Sequence, residues 1–246
     1  MRRHQLAQKL IIGVIASVIG IAVALSINWF PVQASSQAKK IDDLWDVLLI
    51  ASVPIFVLVE VVVLYSVWKF RMRPGEELKD GPPIHGNTML EIIWTAIPAL
   101  IIFSLVTYAY IVLTEIEKKP SKEMVVQVTG QQFAWSYQYR QPGQPTVNTD
   151  TLYVPKGESV RFNIKATDVI HDFWVPAFRL KIDAVPGITT HYRVTPIRNG
   201  SYAVVCAELC GLGHSTMRST VHVVDPGTFK GWLAAKRVAK PAGATS

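Results

Sequence analysis

A twelve-residue segment near the end of the chain carries two thiols, an imidazole, a thioether and a carboxylate. They belong to Cys206, Cys210, His214, Met217 and Glu208, and the two cysteines are the only ones in 246 residues. Sulfur and imidazole ligands select copper, zinc or iron–sulfur centres over the hard cations that prefer oxygen. The segment therefore predicts a site for a soft metal.

Several simpler explanations of the two cysteines fit less well. A disulfide across three residues would close a very small loop and would constrain little of the unfolded chain. Structural zinc usually has four ligands in paired short spacings, and a redox-active pair has two intervening residues rather than three. A mononuclear blue-copper site uses one cysteine with two histidines and a weak methionine. If both thiolates bridge two copper ions, both cysteines have a role as ligands. Each copper then needs its own imidazole, so a second histidine is required.

The best candidate for the second imidazole is His171. It follows a strand-like run over residues 160–165 and opens a loop at 171–176 that is rich in aromatic residues and contains a proline. Ligands often lie on loops held by a rigid scaffold. The other histidines are less suitable, because two sit beside hydrophobic segments and two lie on the polar face of alternating runs: His4, His85, His191 and His222.

Two segments, 171–187 and 206–217, together resemble subunit II of cytochrome c oxidase, and the resemblance extends over roughly residues 40–235. It implies a dinuclear copper A centre. Cys206 and Cys210 would be the bridging thiolates, and His171 and His214 would each ligate one copper. Weak axial donors would be Met217 and the backbone carbonyl of Glu208, whose side chain would reach a magnesium ion shared with subunit I.

The resemblance also implies a function. The chain would accept single electrons from a soluble c-type cytochrome and pass them to the haem and copper of subunit I, where oxygen is reduced to water and protons are pumped. No catalytic residue is then expected in this chain, and the expected partners are subunits I and III, with no nucleic acid. Two alternatives remain: a quinol oxidase subunit II, whose family lacks these copper ligands, and a membrane-anchored copper chaperone, which needs exposed, exchangeable ligands.

Half of the residues are hydrophobic and only 17% are charged. Apolar runs at 47–68 and 92–114 each exceed the roughly 20 residues that span a bilayer as a helix. They predict a transmembrane helical hairpin within residues 35–119. A third run, 10–27, makes residues 1–34 either a further span, which we favour, or a signal cleaved after Ala34. The loop between the hairpin spans contains four basic residues and should lie inside: Lys69, Arg71, Arg73 and Lys79.

The remaining chain should then lie on the periplasmic, lumenal or intermembrane side. Short alternating runs separated by proline and glycine turns predict an all-β sandwich over residues 120–235, resembling the cupredoxin Greek key. The predicted strands are at 124–128, 133–139, 160–165, 192–194, 202–205 and 220–224. A helix is expected near 226–240, and residues 236–246 should form a flexible tail.

Other residues gain a predicted role from the resemblance. Glu91 stands where the family has the inner mouth of a proton pathway, whereas the role of Glu60 is open. Phe133 and Trp135 match the aromatic region through which electrons enter, although the family commonly has Trp-Tyr-Trp where this chain has Phe-Ala-Trp.

Charge also bears on the donor. Residues 115–246 contain 16 Lys or Arg against 10 Asp or Glu. We therefore expect an acidic or neutral donor, or a local acidic patch near Asp172 and Asp183.

Overall fold

The computed structural model describes residues 3–72, 74–75, 83 and 85–238. Contacts divide the chain into two compact units, one made of residues 1–28 and 43–112 and the other of 29–42 and 113–246. We call them the helical unit and the sandwich unit. Arg73 and Lys79 of the predicted basic loop, and residues 239–246 of the predicted tail, lie outside the described residues.

Three long helices account for the predicted apolar runs: α1 (Arg3–Ser26), α2 (Ser36–Phe70) and α3 (Thr88–Ile116). Both α2 and α3 are long and apolar enough to cross a membrane. The two predicted spans lie inside these helices, which extend further at both ends. At the start of α3 the side-chain oxygen of Asn87 accepts a hydrogen bond from the backbone N–H of Leu90, a typical N-cap.

Helix α1 packs on α2 through a small residue. A Cβ built on Gly20 would lie 2.8 Å from a methyl carbon of Val53, so a larger side chain would have to push the two helices apart. Of the two predictions for residues 1–34, the helix is consistent with a further span. Cleavage after Ala34 remains a prediction.

Within the described residues, the sandwich unit has ten strands followed by helix α4 (Pro226–Val238). One sheet has the order β3-β2-β1-β5-β8 and the other β4-β10-β9-β6-β7. The β1–β5 and β10–β4 pairs are parallel and the remaining pairs are antiparallel. The strands are β1 (Met124–Gln131), β2 (Ala134–Tyr139), β3 (Val147–Thr149), β4 (Leu152–Pro155), β5 (Val160–Ala166), β6 (His171–Val175), β7 (Leu180–Ala184), β8 (Thr190–Val194), β9 (Gly200–Cys206) and β10 (Arg218–Val224).

This architecture confirms the predicted membrane-anchored, cupredoxin-like sandwich. Its core lies between the sheets, where alternate side chains such as Val128, Tyr137, Phe162 and Phe173 are fully or almost fully buried. The predicted alternating strands all occur, with bounds shifted by a few residues.

Strand β6 corrects one expectation. His171 is expected at the opening of a loop, yet it is the first residue of a strand that lies between β9 and β7. Its segment lacks the alternation of apolar and polar residues that indicates a strand, because the buried His171 is polar and the exposed Trp174 is apolar.

The sandwich unit contains a segment that precedes the span predicted at 47–68, Trp29–Asp42. Ala34 donates a backbone hydrogen bond to Ala177 and accepts one from Ile197, both at 2.9 Å. The hydroxyl of Ser35 donates to the carbonyl of Phe178 at 2.9 Å, and Ala34 and Ser35 are completely buried. The sandwich predicted over 120–235 thus packs together with residues from the other end of the chain.

Candidate metal centre

The predicted copper ligands lie close together because three neighbouring strands, β6, β9 and β10, begin or end at the same end of one sheet. His171 begins β6, Cys206 ends β9, and Phe173 of β6 pairs with Cys206. The loop from β9 to β10 carries the rest of the ligands. Its ends are tied together by the backbone N–H of Cys206, which donates to the carbonyl of Met217 at 3.1 Å.

The two sulfur atoms lie at the middle of the ligand set, 3.8 Å apart. Cys206 Sγ lies 4.0 Å from His171 Nδ1 and 3.2 Å from the carbonyl oxygen of Glu208. Cys210 Sγ lies 3.7 Å from His214 Nδ1 and 3.9 Å from Met217 Sδ. Each thiol therefore has one imidazole and one weak donor beside it.

These distances fit a metal site and exclude a disulfide between the two cysteines. An S–S bond measures about 2.05 Å, far less than the separation here. Metal–thiolate bonds are about 2.3 Å long, so one ion can contact both sulfurs. His171 and Met217 are fully buried and the cysteines are 4% exposed, so these four donors are shielded from water, whereas His214 is only half-buried. Soft sulfur and imidazole donors of this kind suit copper.

Asp168 orients one of the imidazoles. Its carboxylate lies 2.9 Å from Nε2 of His171, which leaves Nδ1 directed at Cys206. The same carboxylate accepts backbone hydrogen bonds from Gln132 and Val169, each at 2.7 Å. Desolvation alone would raise the pKa of Asp168, but these hydrogen bonds and His171 outweigh it and lower the pKa to about 2. Asp168 is not among the predicted site residues, because its contacts with Gln132 and His171 form only in the fold.

The thiol of Cys210 is held in its neutral form when no metal is bound. Burial, with a smaller contribution from the neighbouring Cys206, raises its pKa to about 11. Metal binding at this site must therefore displace a proton that the protein retains at neutral pH.

Asp172, a candidate for an acidic surface patch, is only 4% exposed. It pairs with Asp183 across β6 and β7. Burial is the main cause that raises its pKa to about 6, with the like charges of Asp183 and Glu208 adding to the shift and Lys181 opposing it. Of the two predicted patch residues, Asp183 alone is exposed.

Phe133 and Trp135 differ in environment. Phe133 is 37% exposed and its ring lies against Gly211 and Gly213, inside the segment that carries Cys210 and His214. Trp135 is 3% exposed, with its ring centre 5.2 Å from that of Phe173 and 6.0 Å from that of His171. Of these two rings, that of Phe133 is the one exposed to solvent.

The remaining predicted residues are carboxylates at the surface of the units. Glu208 points its carbonyl toward Cys206 while the residue as a whole is exposed. Glu91 lies in the first turn of α3, where a negative charge favours the helix dipole, and Glu60 lies on an exposed part of α2.

Sequence comparisons match both parts of the chain to one protein family. Residues 143–224 match the family model for the periplasmic domain of cytochrome c oxidase subunit II, and residues 11–112 match the model for its transmembrane domain. Cytochrome c oxidase subunit 2 of Thermostichus vulcanus is 34% identical, with the alignment covering 89% of this chain and 82% of that protein. The subunit 2 of a Synechocystis species is 31% identical, covering 92% and 81%.

A solved structure is also similar, the periplasmic domain of subunit II of cytochrome oxidase of Bradyrhizobium japonicum. It is 28% identical, with a TM-score of 0.45, and the match covers 48% of this chain and 96% of that domain. Family membership rests on the sequence matches. The chain belongs to the cytochrome c oxidase subunit II family and is an integral membrane component of that oxidase with a C-terminal periplasmic domain.

Proposed function

We propose that this chain receives electrons at a dinuclear copper centre and delivers them to subunit I of the oxidase. The ligands would be His171, Cys206, the carbonyl of Glu208, Cys210, His214 and Met217. The observation that carries the proposal is the pair of sulfur atoms 3.8 Å apart, each with its own imidazole and weak donor. Copper held by these donors would take up and release single electrons.

The scaffold suits this role because it limits movement of the ligands. His171 and Cys206 lie on paired strands, and the loop from Cys206 to Met217 is closed by a backbone hydrogen bond. A site whose donors stay in place on reduction loses little energy to rearrangement, which favours rapid electron transfer. The donor set leaves no position open for a substrate.

The electron donor would be a soluble c-type cytochrome that docks around Phe133. Leu212 is fully exposed and Leu209 is 78% exposed in the ligand loop, so the surface beside the site is apolar. Apolar contact gives affinity, while charge steers the approach. With 16 basic against 10 acidic residues in the part after residue 114, we propose an acidic or neutral donor.

The dependence of turnover on salt tests the charge of the donor. With an acidic donor, raising the ionic strength should slow turnover, because the attraction to a basic domain is screened. If salt slows turnover only with a basic donor, the acidic-donor proposal is wrong and Asp183 becomes the candidate for docking.

Two carboxylates would serve the complex with subunits I and III. We propose that the side chain of Glu208 binds magnesium at the boundary with subunit I, since its carbonyl is directed to the copper site and the residue is exposed. Carboxylate oxygen is a ligand that magnesium prefers. Replacing magnesium with manganese in the assembled oxidase would give an EPR signal that Glu208→Gln should weaken.

Glu91 would stand at the mouth of a proton pathway, and Glu91→Gln should slow proton uptake without altering the copper spectrum.

Copper content and EPR of the full chain test the central proposal. The full chain is required because Trp29–Asp42 belongs to the sandwich unit. Two coppers per chain sharing one unpaired electron support it, and replacing Cys210 with Ser should abolish that signal. One labile copper per chain would instead support a chaperone. A chain that binds no copper and oxidises quinol in the complex would support a quinol oxidase subunit.

A further inference from the structure

The connection between β1 and β2 touches both halves of the ligand set. Gln131 pairs with Ala134, so Gln132 and Phe133 form the two-residue tip of a β-hairpin. This hairpin belongs to the sheet that carries no copper ligand, whereas His171 and Cys206 lie in strands of the opposite sheet. We call Gln132 and Phe133 the hairpin tip.

Gln132 makes one contact toward each side of the site. Its side-chain Nε2 donates to the carbonyl oxygen of Cys210 at 2.6 Å. Its backbone N–H donates to the carboxylate of Asp168 at 2.7 Å, and that carboxylate holds Nε2 of His171. A single residue thus connects the strand of one imidazole with the loop of the other.

Phe133 fills the space left by two glycines of the ligand loop. A Cβ on Gly213 would lie 2.5 Å from the ring atom Cδ2, and one on Gly211 would lie 3.2 Å from the ring. Gly211 also has a φ of 131°, a conformation that side chains other than glycine rarely adopt. The sequence Cys-Gly-Leu-Gly-His therefore matches an aromatic ring that lies on the loop backbone.

We infer that the hairpin tip is a positioning element that sets the ligand loop of Cys210 and His214 against His171 before any metal is bound. Gln132 fixes the loop by its amide, and Phe133 fixes it by packing. Neither residue donates to the metal. The inference rests on the proposed function for its consequence, an even sharing of the electron between two coppers, but the positioning itself is a property of the copper-free protein.

The hydrogen-bond donor of Gln132 is the feature to alter. Gln132→Ala removes it, and Gln132→Glu keeps the length but places a second acceptor against the Cys210 carbonyl. In the copper-free full chain, both should accelerate amide hydrogen exchange in residues 207–214 about fivefold, the effect of one hydrogen bond of about 1 kcal/mol. Gln131→Ala, at the exposed neighbouring position, is the matched control and should leave exchange unchanged.

The packing of Phe133 is tested by a rescue. Gly213→Ala alone should clash with the ring, displace His214 and lower copper affinity by about ten- to a hundredfold, as changes around metal ligands commonly do. The double variant Phe133→Ala with Gly213→Ala removes the clash and should bind copper as well as Phe133→Ala alone, whose smaller loss of affinity comes from the missing packing. Gly227→Ala serves as the control, since a Cβ there meets nothing within 4 Å.

After copper loading, the Gln132 variants should show EPR hyperfine splitting from two unequal coppers and a shifted reduction potential. The inference is overturned if both variants leave the exchange and the EPR pattern unchanged, or if Phe133→Ala fails to rescue Gly213→Ala. A wild-type chain that fails to bind two coppers would contradict the proposed function, whereas the exchange measurement would still decide the positioning role.

Discussion

Arg179 and Asp42 form a two-point ion pair between residues 137 positions apart in the chain. The Nε and Nη2 atoms donate to the two carboxylate oxygens at 2.7 and 2.8 Å. Arg179 also donates to the carbonyls of Pro31 and Pro176 and lies over the ring of Phe30. Its side chain is 5% exposed, and its φ of 58° is unusual for a residue other than glycine. The ion pair attaches the start of α2 to the turn between β6 and β7.

Arg179→Ala should lower the free energy of unfolding by about 2–4 kcal/mol, because Asp42 would remain partly buried without its partner. Arg179→Gly should cost about 1 kcal/mol less, since glycine relieves the left-handed backbone. Denaturant titration of the full chain in detergent, followed by tryptophan fluorescence, measures both. Lys156→Ala, at an exposed position, is the control. Equal stability of wild type and Arg179→Ala would show that the pair contributes nothing.

Copper binding should tighten as pH rises. The pKa of Cys210 is raised to about 11 by burial and by Cys206, so a proton must leave the thiol before it ligates. We expect the apparent affinity to rise by up to about tenfold per pH unit from this thiol between pH 6 and 9. Competition with a chelator of known pH dependence measures the affinity, and proton release on loading can be followed with an indicator dye. An affinity that is flat with pH would contradict the raised pKa.

Asp172 should make the copper-free protein less stable as pH rises from 4 to 7. Its folded pKa of about 6 lies above the unfolded value near 3.8, so the folded state binds the proton more tightly. The stability from this proton is complete below pH 4 and is lost as pH rises through 6. Allowing for solvent beside Asp183, the loss should be about 1–2 kcal/mol.

Asp172→Asn should remove this pH dependence, as seen in melting temperatures of the copper-free full chain. Asp183→Asn should shift the transition to lower pH, because it removes a like charge. The prediction is wrong if the wild-type melting temperature rises between pH 4 and 7 and the Asp172→Asn variant shows the same pH dependence.

Substitution of the two aromatic residues near the site should separate packing from donor contact. Trp135→Ala should cost about 3–5 kcal/mol of stability, since it empties a buried site between Phe173 and His171. Phe133→Ala should cost less than half of that but slow reduction by the donor cytochrome. Stopped-flow reduction and denaturant titration give the two quantities. If the Trp135→Phe variant is stable but is reduced slowly, and the Phe133→Ala variant is reduced at the normal rate, then the donor contacts Trp135 rather than Phe133.

The cluster of candidate ligands was predictable because its residues are chemically unusual and close in sequence. Two thiols, an imidazole and a thioether within twelve positions indicate a soft metal, and the place of His171 after a strand-like run, 35 residues upstream of Cys206, indicated the second imidazole. The alternating strands were predictable because one face of each strand is more buried than the other. Strand β6 was not, because the buried His171 is polar and the exposed Trp174 is apolar, so its sequence does not alternate.

Contacts between distant segments left no local signal. Asp168 is an ordinary loop aspartate until the fold brings the N–H of Gln132 to it. Nothing in residues 29–42 indicates β-sandwich packing, because a single pair of backbone hydrogen bonds at Ala34 has no periodicity to detect. Arg179 likewise gives no hint that its partner is Asp42.

The burial of Ala34 and Ser35 has a consequence for the order of events during synthesis. The ribosome makes these residues more than a hundred positions before Ala177, Phe178 and Ile197, which contact them. Both hydrophobic spans must be inserted, and most of the periplasmic chain translocated, before the early segment can dock. Final closure of the domain is therefore a late step in biogenesis, and the chain must remain incompletely closed until its last strands have been translocated.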